Sequence, residues 1–446
     1  MLRDAAKFLA RQTVGRLPRP ASRLSGRLAL DGGVPVRNIR YRPWAPPRTG
    51  NLMQWFAGVE PVFRKIFLSG AEGLPQLRQQ QFAQQWAEYC GCRHALLLPH
   101  GTDALRLALA AVFDHDGLDY AGEVIVPNLS FIATATAPLD RRFGVAFVDV
   151  DAGTLNLDPL RVEEAIVPGR TRAIIPVHQF GQPADMTALR VVAEKHGLKI
   201  IEDAAQAHGA VWESGPAGSL GDAGAFSFQS AKNLSCGEGG IITTNDLQVF
   251  ERAHSLHNAG RAPHAGGRWE HDTLGWNCRP TEYQAALLIH RFADFDRQQA
   301  LRAENFQRLR ELMEDVACLR PLHVHPSVRR HGMYMFVMRY RAQRCGGLPL
   351  DDFLRAIQAE GAPMFRCYAS TMSNQVAMRK LRARHPDYLR VLPTPVSDRA
   401  ANEIAYIAAN VFLGTPADMD DICLAARKVE RYYASGGAGM PEPPQP

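Results

Sequence analysis

No C-x-x-C pair occurs in this chain of 446 residues; its eight cysteines stand scattered at 90, 92, 236, 278, 318, 345, 367 and 423. Cys90 and Cys92 form the one close pair and lack a matching second pair, so no zinc site is spelled out. The expectation is free thiols in a reducing compartment, a cytoplasmic protein, and no metal. No run approaches the roughly 18 uninterrupted apolar residues of a spanning helix, which argues against an integral membrane protein. No fixed-period repeat appears either. Hydrophobic residues make up 46% and charged residues 22%, which excludes a mostly disordered or collagen-like chain.

Net charge is missing from most of the molecule. The formal +6 is carried by residues 1–27, where Arg3, Lys7, Arg11, Arg16, Arg19, Arg23 and Arg27 face only Asp4. The remainder holds 44 cations and 44 anions. A nucleic-acid partner is therefore not expected, since the body offers no basic excess. The arm 1–27 lacks the apolar middle of a secretory signal. It is Arg-rich and acid-poor like a presequence, but reads best as a flexible basic extension.

What is there is an alternation of short apolar runs with helical segments between about 91 and 245. The runs are Ala95–Leu98, Glu123–Pro127, Val145–Val150, Ala173–Val177, Lys199–Glu202, Ala223–Phe228 and Gly240–Thr244. Amphipathic stretches such as Asp103–Phe113 and Met186–His196 separate several of them. Strands joined by helical crossovers predict an α/β fold with a mostly parallel sheet of seven strands, buried on both faces. The link between the last two runs has no room for a helix. Beyond about 280 the pattern changes: two helices over 281–314, a strand at Met333–Tyr340, and helices over 350–360 and 417–432. This predicts a large domain over 28–290, a smaller α+β domain over 291–435, and a disordered Gly/Pro-rich tail over 436–446.

Four places put polar residues at strand ends, where an open α/β sheet holds its ligands. In His100-Gly-Thr-Asp-Ala-Leu105, Gly101, Thr102 and Asp103 open a helix whose free N–H groups suit a phosphate; Asp103 is equally explained as a cap. Asp203, in Ile201-Glu-Asp-Ala-Ala-Gln206, ends an apolar strand, and a carboxylate there must be solvated, paired or facing a cation. Lys232 follows Phe226-Ser-Phe228 and precedes Gly237-Glu-Gly-Gly240; a lysine held in a pocket by a tight loop serves as amine nucleophile or proton carrier, although a lone lysine is usually a solvated one. Asn277 and Arg279 occupy a loop before a helix, where ordinary turn chemistry also explains them.

Taken together, G-T-D-A-L, V-I-V-P-N-L-S-F, F-V-D-V-D, P-V-H-Q-F-G-Q-P-A-D-M, I-E-D-A-A-Q-A-H-G, F-S-F-x-x-x-K-x-x-x-x-G-E-G-G and G-x-N-x-R-x-x-E strongly resemble the DegT/DnrJ/EryC1/StrS aminotransferase family over roughly residues 28–432. The resemblance implies a fold type I enzyme dependent on pyridoxal 5'-phosphate (PLP), aminating keto sugars or keto cyclitols. It implies that Lys232 is the Schiff-base lysine and proton carrier and that Asp203 holds the pyridine nitrogen. Gln206 is then expected near the cofactor hydroxyl and Phe131 stacked on the ring. Gly101, Thr102, Asp103 and Ser227 would cradle the phosphate. Asn277 would reach the phosphate in a neighbouring subunit, which implies a homodimer with shared active sites.

Many nucleotide-sugar members read F-S-F-H-x-x-K, whereas this chain has Gln229 at the histidine position. With the opening Leu28-Ala-Leu-Asp-Gly-Gly-Val-Pro-Val-Arg37, this resembles the branch of scyllo-inosose aminotransferases and 3-amino-5-hydroxybenzoate synthases. The expectation is glutamine or glutamate as amino donor and a free keto cyclitol as acceptor. A nucleotide-linked keto sugar, a dehydratase or aromatising synthase, and a non-catalytic regulator are the competing readings. Family dehydratases carry histidine where Lys232 stands, which favours transamination. His257-Asn-Ala-Gly-Arg261 and His331-Gly-Met-Tyr-Met-Phe336 depart from the family pattern where the acceptor is expected.

Overall fold

A computed structural model describes residues 27–37, 52–70, 77–261 and 270–436. Except for Arg27 and Gly436, the expected arm 1–27 and tail 436–446 lie outside the described residues. No described helix is long and apolar enough to cross a membrane.

The strands in chain order are β1 (His94–Leu98), β2 (Glu123–Pro127), β3 (Gly144–Val148), β4 (Thr171–Ile174), β5 (Lys199–Asp203), β6 (Val211–Trp212), β7 (Gly215–Pro216), β8 (Ala223–Ser227), β9 (Gly240–Thr244), β10 (Leu319–Pro321), β11 (Val328–Arg330), β12 (Met335–Tyr340), β13 (Phe365–Arg366), β14 (Leu389–Val391) and β15 (Ile404–Ala408). The large sheet has the order β1-β9-β8-β5-β4-β2-β3-β14. All its pairings are parallel except β1/β9 and β8/β9, so β9 alone runs against the rest. The seven expected strands are all present, each within a few residues of its run. An eighth, β14, joins at the edge.

The sheet is covered on both faces, and each strand's alternation shows it. Val124 and Val126 pack with Leu105, Leu109 and Ala135 on one side; Ile125 packs with Ile174, Met186 and Leu189 on the other. All three are fully buried; enclosing such side chains contributes about 1.5–3 kcal/mol each. The helix Met186–His196 has the expected bounds, because Asp185 accepts from Ala188 N at 2.9 Å and Gly197 closes it with φ +65°. Under β8 and β9, Phe82, Trp86, Phe226 and Phe228 form an aromatic cluster.

The second domain is built on the antiparallel sheet β10-β12-β15-β13. The helices Phe295–Leu312, Leu350–Ala359 and Pro416–Ala434 bury Leu309, Phe353, Ile357 and Val429 against its Phe336, Met338 and Ile407. The two helices expected over 281–314 are Glu282–Phe292 and Phe295–Leu312.

Three segments cross the division expected at residue 290, one of them β11, which pairs with β6 of the large domain. Leu28 and Val36 are buried in the small-domain core, where Glu360 accepts from Ala29 N and Val36 N and pairs with Lys428 at 2.9 Å. Conversely, β14 returns to the large sheet, and Met372, Met378 and Leu389 pack in its core. Arg390 of β14 pairs with the fully buried Glu123 at 2.5 Å, which gives that carboxylate a cationic partner.

Candidate active site

The expected residues other than Asn277 lie at or just beyond the C-terminal ends of β1, β2, β5 and β8. After β1 the chain turns at His100 into the helix Gly101–Phe113, whose first N–H groups have no intrahelical partner. Gly101 presses against the end of β8: a Cβ there would meet the Ser227 Cβ at 2.6 Å. Gly240 faces the same turn, where a Cβ would meet the His100 carbonyl oxygen at 2.2 Å. Two glycines thus let a helix N-terminus and a serine hydroxyl converge, and a side chain at either would fill the cradle. Thr102 is exposed beside it. The Asp103 carboxylate is engaged elsewhere, accepting from Arg106 Nη2 at 2.7 Å.

Asp203 ends β5 and is 5% exposed. Its Oδ2 accepts from Thr134 Oγ1 at 2.8 Å and its Oδ1 from Ala205 N at 3.2 Å. Ser130 Oγ lies 3.1 Å behind Thr134. Burial pushes the Asp203 carboxyl up, opposed by Thr134, Ala205 N–H and the charge of Lys232. An ionised carboxylate has about four acceptor positions and only two are used here, so a further N–H⁺ donor fits.

Lys232 lies in the β8–β9 loop, its N–H donating to Gln229 O at 2.9 Å. Its Nζ is 3.5 Å from Tyr334 Oη and 4.5 Å from the centre of that ring. Burial pulls its amine down from 10.5 to about 8, with Asp203 opposing. Half the population near pH 8 therefore carries a nucleophilic lone pair. Tyr334 is itself buried, and burial holds its phenol protonated by raising it to about 12.

Gln206 is fixed at both ends: Oε1 accepts from Phe180 N at 2.8 Å and Nε2 donates to Tyr368 Oη at 3.0 Å. Phe180 supplies that N–H from a left-handed conformation, φ +61°. Phe131, past the end of β2, is 63% exposed. Asn277 is also exposed, on a loop whose backbone pairs with Asn258. Among the described residues no hydrogen bond joins its side chain to the Asp203–Gln206–Lys232 group.

Thr134, Tyr334 and Tyr368 were not singled out from sequence. Thr134 sits three residues past Phe131, and only the acceptor it serves reveals its purpose. Tyr334 falls inside the departing stretch His331–Phe336. Tyr368 follows β13, a two-residue strand with no periodic signature.

The fold and this arrangement have relatives. The model of the DegT/DnrJ/EryC1/StrS aminotransferase family matches residues 74–424. L-glutamine:2-deoxy-scyllo-inosose aminotransferase of Streptoalloteichus tenebrarius is 34% identical over 426 residues, covering 91% of this chain and 98% of its own. The enzyme of the same name from Streptomyces fradiae is likewise 34% identical, with the same coverage. Among solved structures, 3-amino-5-hydroxybenzoic acid synthase superposes with a TM-score of 0.75 at 28% identity, covering 88% of this chain and 100% of that one. DesI, solved with its TDP-sugar product, gives 0.77 at 26% identity, covering 92% and 97%. The large sheet with its smaller α+β partner is the fold type I architecture, and the chain belongs to the DegT/DnrJ/EryC1/StrS aminotransferase family.

Proposed function

We propose that this PLP-dependent aminotransferase moves an amino group from L-glutamine to the ketone of a free keto cyclitol of the scyllo-inosose type, as an intracellular homodimer. The observation that carries the reading is the half-buried Lys232, whose Nζ lies 3.5 Å from Tyr334 Oη and whose amine is pulled down towards about 8, with the charge of Asp203 opposing. The full-length likeness to enzymes named for L-glutamine and 2-deoxy-scyllo-inosose supports the donor and acceptor, as does Gln229 in place of histidine. The eight unpaired cysteines suit a reducing cytoplasm.

PLP, when bound, supplies an electrophilic aldehyde and a cationic ring that withdraws electrons from the substrate carbon. The chain's own residues do the rest. Gly101, Thr102, the Asp103 backbone and Ser227 hold the phosphate by N–H and hydroxyl donors at a helix N-terminus. Asp203 would hold the ring nitrogen in its protonated form, with Thr134 orienting the carboxylate. Phe131 would cover the ring. Gln206, held by Phe180 and Tyr368, would bind the ring hydroxyl. Lys232 would be the amine that meets the aldehyde and, as a free amine, the base that accepts the proton of the donor carbon and delivers it to the cofactor, and in the second half-reaction carries a proton from the cofactor to the acceptor carbon. Tyr334, 3.5 Å from Nζ, confines that amine. Asn277, exposed here, would complete the phosphate contacts of the neighbouring subunit.

The test is purified protein with PLP, glutamine carrying 15N at its α-amino group, and 2-deoxy-scyllo-inosose. Mass spectrometry should find one 15N in an aminated cyclitol. Label transfer to a nucleotide-linked keto sugar alone would refute the acceptor; loss of water without nitrogen transfer would refute the reaction class. The second reading, a synthase of the aminohydroxybenzoate type, has the likeness to that solved enzyme in its favour and predicts this second outcome.

A further inference from the structure

Asn277 is borne by a loop with no helix or strand of its own. The backbone of its neighbours is tied down: Trp276 N donates to Leu256 O at 2.7 Å, Ala259 N to Trp276 O at 2.8 Å, and Cys278 N to His257 O at 2.9 Å. The Trp276 side chain packs against the core on one face of the large sheet. Two guanidiniums lie over its ring, with Arg106 Cζ at 5.2 Å and Arg141 Cζ at 4.2 Å from the centroid.

These arginines come from separate elements. Arg106 lies one turn into the helix Gly101–Phe113, and Arg141 closes the helix Ala133–Asp140. Asp103 accepts from Arg106 at 2.7 Å, and Asp140 reaches both arginines, Arg106 at 3.4 Å and Arg141 at 3.3 Å. Arg141 is 6% exposed. Burial and the neighbouring Arg106 both work against its charge, while Asp140 supports it. Two like charges are thus held close together, and they share both the Asp140 carboxylate and the electron-rich indole face. A tryptophan needed only as apolar filling would require neither.

We infer that the Arg106–Trp276–Arg141 clamp makes Trp276 a positioning residue for Asn277, fixing the loop at the angle that presents this asparagine to the cofactor phosphate of a second copy. The inference rests on the shared-site reading above. It also ties the two phosphate contacts together physically, because Arg106 is in the same helix as Thr102 and Asp103.

The experiment measures the PLP dissociation constant of the reconstituted full-length protein by fluorescence titration, with sedimentation of each variant alongside. Asn277→Ala and Trp276→Leu should each weaken PLP about tenfold, and the double variant should be no weaker than about tenfold, because the two act through one contact. Trp276→Phe, which keeps an aromatic face, should stay within about threefold of the parent. Arg141→Met provides the same reading if Trp276→Leu fails to fold, since it removes the nearer guanidinium and leaves the ring. Parental affinity in Trp276→Leu or Arg141→Met beside a weakened Asn277→Ala overturns the clamp, as does an additive loss of about a hundredfold in the double variant. Parental affinity in Asn277→Ala overturns the shared phosphate contact itself.

Discussion

Lys232 and Asn277 belong to one proposed site and stand at its opposite extremes. Lys232 is enclosed between β8, Tyr334 and the charge of Asp203; every feature that sets its amine near pH 8 comes from this chain. Asn277 is exposed, and among the described residues no hydrogen bond joins its side chain to the Asp203–Gln206–Lys232 group. The difference teaches where the chemistry is decided. On the proposed assignment the reacting amine is tuned by folding alone, whereas the outer phosphate contact would be prepared by one subunit for use by another.

Substitutions at the enclosed end should therefore strike the chemistry. The largest effect is expected from Lys232→Ala, which should lower amination by at least about a thousandfold and abolish borohydride-fixed phosphopyridoxyl label on the protein. Label retained at the parental level would place the reacting amine elsewhere. Asp203→Asn should keep the fold, since the amide has the carboxyl's shape and the carboxyl is already pushed towards neutrality by burial, and should cost about a hundredfold in turnover. An unchanged turnover would count against the electron-sink role. Thr134→Val removes the 2.8 Å bond to Asp203. It should cost about tenfold and move the acid limb of the pH–rate profile to higher pH, because losing a donor raises the carboxyl further; a limb moved to lower pH would contradict the contact.

The smallest effect is one of stability, read on cofactor-free protein. Burial depresses the folded-state amine of Lys232 from 10.5 to about 8. Between those values the unfolded chain binds the extra proton, so this group's penalty is relieved as pH rises through the window. The gap in melting temperature between Lys232→Met and the parent should narrow from pH 8 towards pH 10. A gap independent of pH would mean the amine is not depressed.

The same contrast governs what could be read from the residues. The doubly buried strands were legible because Val124-Ile-Val126 and its counterparts are apolar without alternation, and the helix Met186–His196 because Asp185 and Gly197 mark both ends. Gly101, Asp203 and Lys232 were legible because each sits where a strand stops. The covering residues were not: Tyr334 and Tyr368 flank short or irregular segments of the second domain, and a tyrosine carries no mark of whether it faces a lysine or a core. Thr134 was hidden because its only signature is an acceptor 69 residues away along the chain. β14 was not legible because three residues show no period. Glu123, a carboxylate opening an otherwise apolar strand, was the available hint that a cation such as Arg390 must come back to it.

That returning strand has a consequence for how the molecule is made. Leu389 of β14 lies against Val145 of β3, so one edge of the large sheet is laid down early in synthesis and closed only after most of the second domain has been made. Until then β3 presents an unpaired rim of N–H and C=O groups beside the buried Glu123, which has Arg170 at 3.3 Å and still lacks Arg390, a rim open to other chains. A chain cut short before Leu389 would keep that rim permanently, which makes self-association, more than lost catalysis, the expected fate of truncated products.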